Sequence, residues 1–420
     1  MSALPTEAAQ SGLQRPGAHL TQAMQQQRQT LVVAGLSARW LAESALQGRW
    51  RVIALDLFGD LDTRRACARW WPIGEPERLH IDAERLLAEL GRLAQRADVV
   101  GWIAGAGFDG RPELLARGAA LLPLLGTQAD GVRRVRDPHA FFAYLDAHGI
   151  AHPPVRMTAP ADRAGWLLKD AGACGAWHIR RDIGAIATEH DDGQGGTVAG
   201  RRYFQREMAG APMSATFIAN GSDACVLGFN RLIVRSLAAR PFVFCGAIGP
   251  LHVPYEVAGR VIVAVRALAA EFSLRGLGSL DFMLDGDRFG VLEVNPRPPA
   301  TMALYGRGVG HDAPRGIVAA HVRACLHDEL GSPMRSGEDA VDAVQGTEIL
   351  FASRSLRLSE RAAAQLAERG GCHDLPYAPA HFEAGDPVCS VSASGSDPEQ
   401  VLELLTGRRE ALRSSLELQQ

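Results

Sequence analysis

Apolar and polar residues alternate on both sides of an Asp-Gly turn between Gly276 and Tyr305, and this is the strongest pattern in the chain. Leu280, Phe282 and Leu284 interleave with Asp281 and Met283; after Asp285-Gly286-Asp287 comes Phe289-Gly290-Val291-Leu292-Glu293-Val294-Asn295. Such alternation around a tight turn predicts a β-hairpin. With a connection of three or five residues, parity places Asp281, Glu293 and Asn295 on one face and Leu280, Phe282, Leu284, Leu292 and Val294 on the other. One face is then core and the other a set of hard oxygen donors. Two carboxylates and a carboxamide suit Mg²⁺ that already carries phosphate oxygens, because Mg²⁺ takes few protein ligands. Arg297 follows on a chain stiffened by Pro296, Pro298 and Pro299, and offers a planar fork to a phosphate or carboxylate.

Upstream, strand and helix patterns alternate. TLVVAG from Thr30 reads as a buried strand and SARWLAESAL as the next helix, with Ser37 able to cap it. RVIALD is a second strand ending in Asp56, IDAERLLAELGRLAQRAD an amphipathic helix, and DVVGWIAG a third strand. This predicts a small parallel α/β unit whose binding edge lies at the strand C-termini. Gly35 and Asp56 have roughly dinucleotide-fold spacing, but AGLSARWLAE lacks the second and third glycines, which argues against NAD. Asp137-Pro138 starts a helix that Gly149 ends, with a domain boundary near residues 125–135. The expected organisation is a polar tail (1–28), an N-terminal α/β domain (29–130), a central domain (131–335) and a small C-terminal α/β subdomain (336–420). In the last of these, EILFAS and CSVSAS read as strands before a closing helix.

The chain has 420 residues and a net charge of −3. Without a basic excess, neither nucleic acid nor an anionic membrane surface is an expected partner, and no apolar run reaches the length of a membrane span. Seven scattered cysteines with no C-x-x-C pair point to a reducing compartment, with the cytoplasm as the expectation. Arginine is abundant, yet Lys169 is the sole lysine. It ends a short apolar strand (Trp166 to Leu168) and precedes a loop from Asp170 to Gly175. A compact ammonium beside a small-residue loop suits phosphate oxygens. Within the loop, Cys174 reads as a small filler and His178 beyond it as a strand residue. No Ser-His or Cys-His constellation is legible.

The order of lysine loop, linker and acidic hairpin with Glu-x-Asn-x-Arg resembles the ATP-grasp superfamily. The resemblance implies an α/β protein with an α+β core, flanked by an N-terminal parallel domain and a small C-terminal subdomain. By that resemblance Asp281, Glu293 and Asn295 hold Mg²⁺ or Mn²⁺, while Lys169, Gly172 and Gly175 cradle the phosphates of ATP. The segment RRYFQREMAGAPMSATFIANG corresponds to the hinge, with Gln205 approaching the adenine amino group and the main chain from Arg206 to Met208 pairing with the ring edge. Arg297 becomes the catalytic cation. The chain departs from the family pattern in two places: Asp170 replaces the usual proline of a more glycine-rich loop, and no upstream lysine exists. GVRRVRD offers Arg133, Arg134 and Arg136 instead. ALDLFGDLDTR and VFCGAIGP resemble the branch of carboxylate–amine ligases that join glutamate to tyramine or tyrosine in methanofuran-like cofactor synthesis. The implied partners are a small carboxylic acid and an amine, and a homodimer is compatible. Alternatives are a carboxylase using bicarbonate and a nucleotide-binding regulatory protein. His311, Asp312, Arg231 and Arg235 remain open candidates for substrate contacts.

Overall fold

The structure, a computed structural model, describes residues 29–173, 175, 177–181, 202–238, 240–306, 316–331 and 343–417. Cys174, His311 and Asp312 lie outside the described residues. The N-terminal domain contains β1 (Thr30–Ala34), α1 (Arg39–Gln47), β2 (Arg51–Asp56), α2 (Leu61–Ala66), β3 (Arg69–Pro72), α3 (Ala83–Ala94) and β4 (Val99–Ala104). Its sheet is parallel in the order β3-β2-β1-β4. Leu31, Val33, Val52 and Ala54 pack on one face, and Val32, Ile53 and Leu55 on the other. Burial on both faces is why β1 and β2 read as continuous apolar runs.

Two local expectations are corrected here. Ser37 does not cap α1: Ala38 occupies the cap position, and its N–H donates to Asp56 Oδ2 at 2.9 Å. The edge strand β3, RWWP, escaped the sequence reading because its residues are only partly buried. Asp56 also accepts from Gly59 N and, at 2.6 Å, from Trp70 Nε1. That carboxylate is therefore spent within the domain and is not offered to a ribose, which removes the remaining basis for a dinucleotide site.

The chain continues through α4 (Pro112–Leu121), α5 (Ala129–Val135) and α6 (Pro138–Ala147), the last capped by Asp137 through His139 N. A small antiparallel sheet follows, with β6 (Arg202–Arg206) between β5 (Trp166–Asp170) and the short strand Val155–Arg156. The main sheet comprises β7 (Ala211–Asn220), β8 (Ala224–Leu237), β9 (Arg240–Leu251), β10 (Arg275–Asp285), β11 (Arg288–Asn295), β12 (Val344–Phe351), β13 (Cys372–His373) and β14 (Pro387–Gly395). Its order is β11-β10-β7-β8-β9-β12-β14-β13. Between β9 and β10 lies α7 (Tyr255–Glu271), whose Val257, Val261, Val265 and Leu268 pack against Phe282, Val291 and Val294. The C-terminal strands thus extend the central sheet through the β9–β12 pairing, while keeping their own apolar cluster around Val344, Leu350 and Val391 beneath the closing helix, α10 (Pro398–Glu417, following α8 at Ile317–His327 and α9 at Glu360–Glu368).

The hairpin forms, by a different route from the expected one. Asp285 pairs with Arg288 across a two-residue connection, Gly286-Asp287, and Gly286 takes φ +60°, which favours glycine. Phe282 pairs with Val291, but Asp281 pairs with Glu293, so Leu292 is an extra residue in a β-bulge. The bulge restores the parity that a two-residue turn alone would have broken. It also corrects one assignment: Leu292 is partly exposed, and the core face of β11 is Phe289, Val291 and Val294.

The fully buried His321 of α8 ties this hairpin to the N-terminal domain. Its Nδ1 accepts from Leu277 N at 2.8 Å, so Nε2 carries the proton that reaches Leu125 O at 2.9 Å. Burial lowers its pKa to about 4. Between about pH 4 and pH 6.5 the unfolded chain binds a proton that the folded chain refuses, so this stability is complete above pH 6.5 and is lost as pH falls. His321→Gln is expected to remove this acid-dependent component, up to about 3 kcal/mol. Urea unfolding of both proteins at about pH 4.5 and pH 7.5 measures it; identical pH slopes would contradict the assignment.

Candidate active site

The acidic face of the hairpin converges with groups from three other elements. In the β10–β11 ladder Asp281 lies opposite Glu293, and Ser279 opposite Asn295. Asn295 Nδ2 donates to Asp281 Oδ2 at 3.0 Å and to Ser279 Oγ at 3.2 Å, fixing the three expected metal donors in one patch. The two carboxylates are pushed in opposite directions. Burial and the neighbouring Glu293 charge raise the Asp281 pKa to about 6. Burial also acts to raise Glu293, but the charges of Arg136 and Lys169 and the hydrogen bond from Arg136 outweigh it and hold that carboxyl below its ordinary value.

Of the three arginines before α6, only Arg136 enters the site. Arg133 pairs with the exposed Asp130, and Arg134 with Glu271. Buried Arg136 donates from Nη1 to Glu293 Oε2 at 3.0 Å and to Val294 O at 3.3 Å. Its Nε reaches Ala171 O and its Nη2 reaches Ala173 O, both at 2.8 Å. One planar guanidinium therefore spans the acidic hairpin and the small-residue loop, a geometry that a lysine does not reproduce.

Lys169, 4% exposed, points the same way and donates to Gln205 Oε1 at 2.8 Å. Burial lowers its pKa, while the charges of Glu293 and Asp281 oppose that shift. The loop beyond it is tied by Asp170, whose Oδ1 accepts from Gly172 N at 2.7 Å. Asp170 thus tightens the turn by its own side chain. Gly175 is exposed with φ +68°. Gly110 lies so near that a side chain there would collide with the Gly172 carbonyl, so the N-terminal domain packs directly on this loop.

The linker residues are placed as follows. Gln205 is buried with Oε1 engaged by Lys169, so the group it leaves available is Nε2, a donor, in place of the expected acceptor. The N–H groups of Arg206 and Glu207 donate to Pro154 O and Gly165 O, both at 2.8 Å, and the exposed Arg206 side chain reaches Ala164 O. Met208 is half-buried against Gly290, and its N–H has no partner among the described residues. His178 lies in a turn and not in a strand; burial lowers its pKa to about 4. Arg235 is bound to the buried Glu348, and Arg231 is exposed.

Arg297 sits beside the metal face. Its Nε contacts both oxygens of Asp109, at 3.2 and 3.1 Å, and its Nη2 reaches Asn295 Oδ1 at 3.4 Å. Asp109, 3% exposed, comes from the loop after β4 and was missed in the sequence reading, although it lies at the strand-C-terminal edge already marked for binding. Ser279 was also missed; its position two residues before Asp281 placed it on the same face. Two buried polar atoms here lack hydrogen-bond partners among the described residues, His178 Nδ1 and Gln205 Nε2, while Ser214 lies close enough to Asp281 to ease its ionisation. Buried polar atoms left this way suit a polar ligand that would complete them. The donor set therefore fits an anionic nucleotide with its divalent metal.

Comparison with known proteins gives the class. Residues 136–301 match the ATP-grasp domain family, and the chain has the ATP-grasp fold. The carbamoyl phosphate synthase large chain of Thermus thermophilus is 24% identical over 244 residues, which are 53% of this chain and 23% of that protein. The chain thus spans about a quarter of the length of the curated relatives it matches. An L-amino acid ligase from Bacillus licheniformis superposes with a TM-score of 0.63 at 13% identity, covering 91% of this chain and 97% of that one. The biotin carboxylase domain of 2-oxoglutarate carboxylase from Hydrogenobacter thermophilus, a dimer holding MgADP and bicarbonate, gives 0.63 at 12% identity, over 90% of this chain and 89% of that one. At these identities the likeness to the two structures is one of fold. Among the described residues no helix is long and apolar enough to cross a membrane.

Proposed function

We propose that this chain is an ATP-dependent carboxylate–amine ligase that forms an amide with release of ADP and phosphate. The finer reading is that the acid is glutamate and the amine phenolic, as in tyramine or tyrosine. The observation that carries the proposal is the convergence of Asp281, Glu293 and Asn295 with Lys169, Arg136 and Arg297, surrounded by unfilled buried hydrogen-bonding atoms.

Asp281, Glu293 and Asn295 would hold Mg²⁺, which supplies charge neutralisation to phosphate oxygens in transfer. Lys169 and the loop it precedes grip the remaining phosphate oxygens, and Arg136 keeps that loop in register with the hairpin. Gln205 holds the Lys169 ammonium in place and directs Nε2 at the nucleotide, while the Met208 N–H is the main-chain donor left for the adenine edge. The acid's carboxylate oxygen attacks the γ-phosphorus, ADP departs, and an acyl phosphate forms. Arg297, oriented by Asp109, stabilises the negative charge on the transferred group. The amine then adds to the acyl carbon and phosphate leaves, taking the amine's proton.

Lys169→Met is expected to weaken ATP binding and turnover together, lowering kcat/KM by about 10² to 10³-fold, in line with loss of one buried phosphate-directed cation. Steady-state ADP release checks this; an unchanged kcat/KM would remove Lys169 from the site. Supplying glutamate with tyramine or tyrosine, against bicarbonate with the same amines, tests the substrate reading. Glutamate-dependent ADP with an amide mass supports it, and bicarbonate-dependent ADP supports a carboxylase instead.

A further inference from the structure

A second polar centre lies away from the nucleotide site, at the seam between the N-terminal domain and the C-terminal strands. Its hub is Arg39, the first residue of α1, which is fully buried. Its guanidinium donates to Asp374 Oδ1 at 2.6 Å and Oδ2 at 3.0 Å, and to Glu43 Oε2 at 3.0 Å; Asp62 Oδ2 is 3.4 Å away. Asp62 reaches across the seam to accept from Asp374 N and Leu375 N. Ser390 also donates to Asp374, and His373 contacts Ser392 Oγ through Nε2 at 2.9 Å. Asp56 and Asp60 complete the group at the end of β2 and the start of α2.

Charge is out of balance here. Three carboxylates (Glu43, Asp62 and Asp374) share one buried guanidinium, with Asp60 beside them. Arg64, nearby, is occupied by the Gly59 carbonyl and the rings of Trp70 and Tyr377. Partly enclosed negative charge in excess of its counter-charge is costly unless a cation balances it.

Two further observations point to what the cation is. One ligand atom each of Glu43, Asp62 and His373, drawn from α1, α2 and β13, lie within 4.8 Å of one another. Independently, the Asp60 carboxyl is 7% exposed and has no hydrogen-bond or ion-pair partner among the described residues. The charged groups around it are Asp374, Asp56 and Asp62, so it faces into the cluster. His373 offers an imidazole nitrogen to the same point, its Nε2 lying 2.9 Å from Ser392 Oγ.

We propose that Glu43, Asp62 and His373 hold a divalent transition-metal ion, with Asp60 beside it, and that this ion clamps the N-terminal sheet to the C-terminal end of the central sheet. A mixed carboxylate and imidazole set favours Zn²⁺ or Mn²⁺ over Mg²⁺, which prefers oxygen donors alone. The proposal is independent of the reaction assigned to the nucleotide site.

The test uses the full chain, stripped by a chelating resin and then equilibrated with Zn²⁺ or Mn²⁺ without nucleotide. Metal per chain is read by mass spectrometry and the thermal midpoint recorded with and without metal. Wild type and Glu293→Gln, which disables the hairpin donors, are expected to retain about one ion and to gain stability with it. His373→Ala and Asp62→Asn are expected to weaken binding by at least about tenfold and to lose the metal-dependent rise. Asp60→Asn leaves the three ligands in place and keeps a foldable chain even if those variants do not; it is expected to bind metal more weakly. An Asp60→Asn protein that binds metal as wild type does, a wild type that binds none, or an ion lost in Glu293→Gln and kept in His373→Ala, overturns the proposal.

Discussion

Asp281→Asn is expected to make the ligand-free protein more stable at neutral pH while abolishing its turnover. The folded chain raises this carboxyl to about 6, roughly two units above its unfolded value near 3.9, which corresponds to a cost of up to about 3 kcal/mol for holding it ionised at neutral pH. The sign follows from the direction of the shift. Below about pH 4 the carboxyl is protonated in both states and the substitution changes nothing through charge. Between about pH 4 and pH 6 the wild type loses stability as pH rises, and above pH 6 the difference is constant. Asparagine keeps the size and the hydrogen-bonding capacity toward Ser279 and Asn295 but removes a metal-ligating charge. Mg²⁺-dependent ADP release should therefore fall by about 10³-fold. Thermal melts across this pH range, paired with ADP release, check both halves. A variant that is less stable than wild type at neutral pH, or that keeps its turnover, contradicts the account of this residue.

Arg136→Met is expected to have the largest structural effect of any substitution in the site. It removes the guanidinium that joins Glu293 Oε2 to the carbonyls of Ala171, Ala173 and Val294. Glu293 would be left partly buried with Lys169 as its main counter-charge, and since breaking a fully buried pair costs about 3–5 kcal/mol, a loss of about 2–3 kcal/mol is expected. Arg136→Lys should recover little of this, because one ammonium cannot reach both the loop carbonyls and the hairpin carboxylate. Urea unfolding gives the stability change, and the KM for ATP reports how far the loop has slipped. A variant within about 0.5 kcal/mol of wild type would show that Arg136 is not what joins the two.

The parts of this site that could be read from the sequence are those expressed in local spacing. Alternation around Gly286 located Asp281, Glu293 and Asn295, because a strand puts every second residue on one face. Lys169 stood out because no other lysine exists in the chain. Contacts between distant segments were not legible in this way. Asp109 meets Arg297 across 188 positions, and nothing near Asp109 signals that partner. Arg136 could not be told from Arg133 and Arg134, because the choice depends on which side of a short helix turns inward beneath the loop. The Leu292 bulge was invisible for a related reason: a two-residue turn with an extra residue and a three-residue turn give the same parity. Gln205 was placed in the site, but its partner was not foreseen, since Lys169 reaches it only through the pairing of β5 with β6. The continuity of the central sheet into the C-terminal strands likewise depends on β9 pairing with β12, roughly a hundred residues apart.

The central claim is that a carboxylate oxygen is phosphorylated on the way to an amide. It is tested most directly by supplying glutamate labelled with oxygen-18 in its carboxylates, with Mg²⁺-ATP and tyramine, and reading the released phosphate by phosphorus NMR. The account predicts one labelled oxygen in each phosphate, with ADP and amide in equal amounts, all lost in Asp281→Asn. Release of AMP and pyrophosphate, or of phosphate that takes its oxygen from water without regard to the acid, would contradict it.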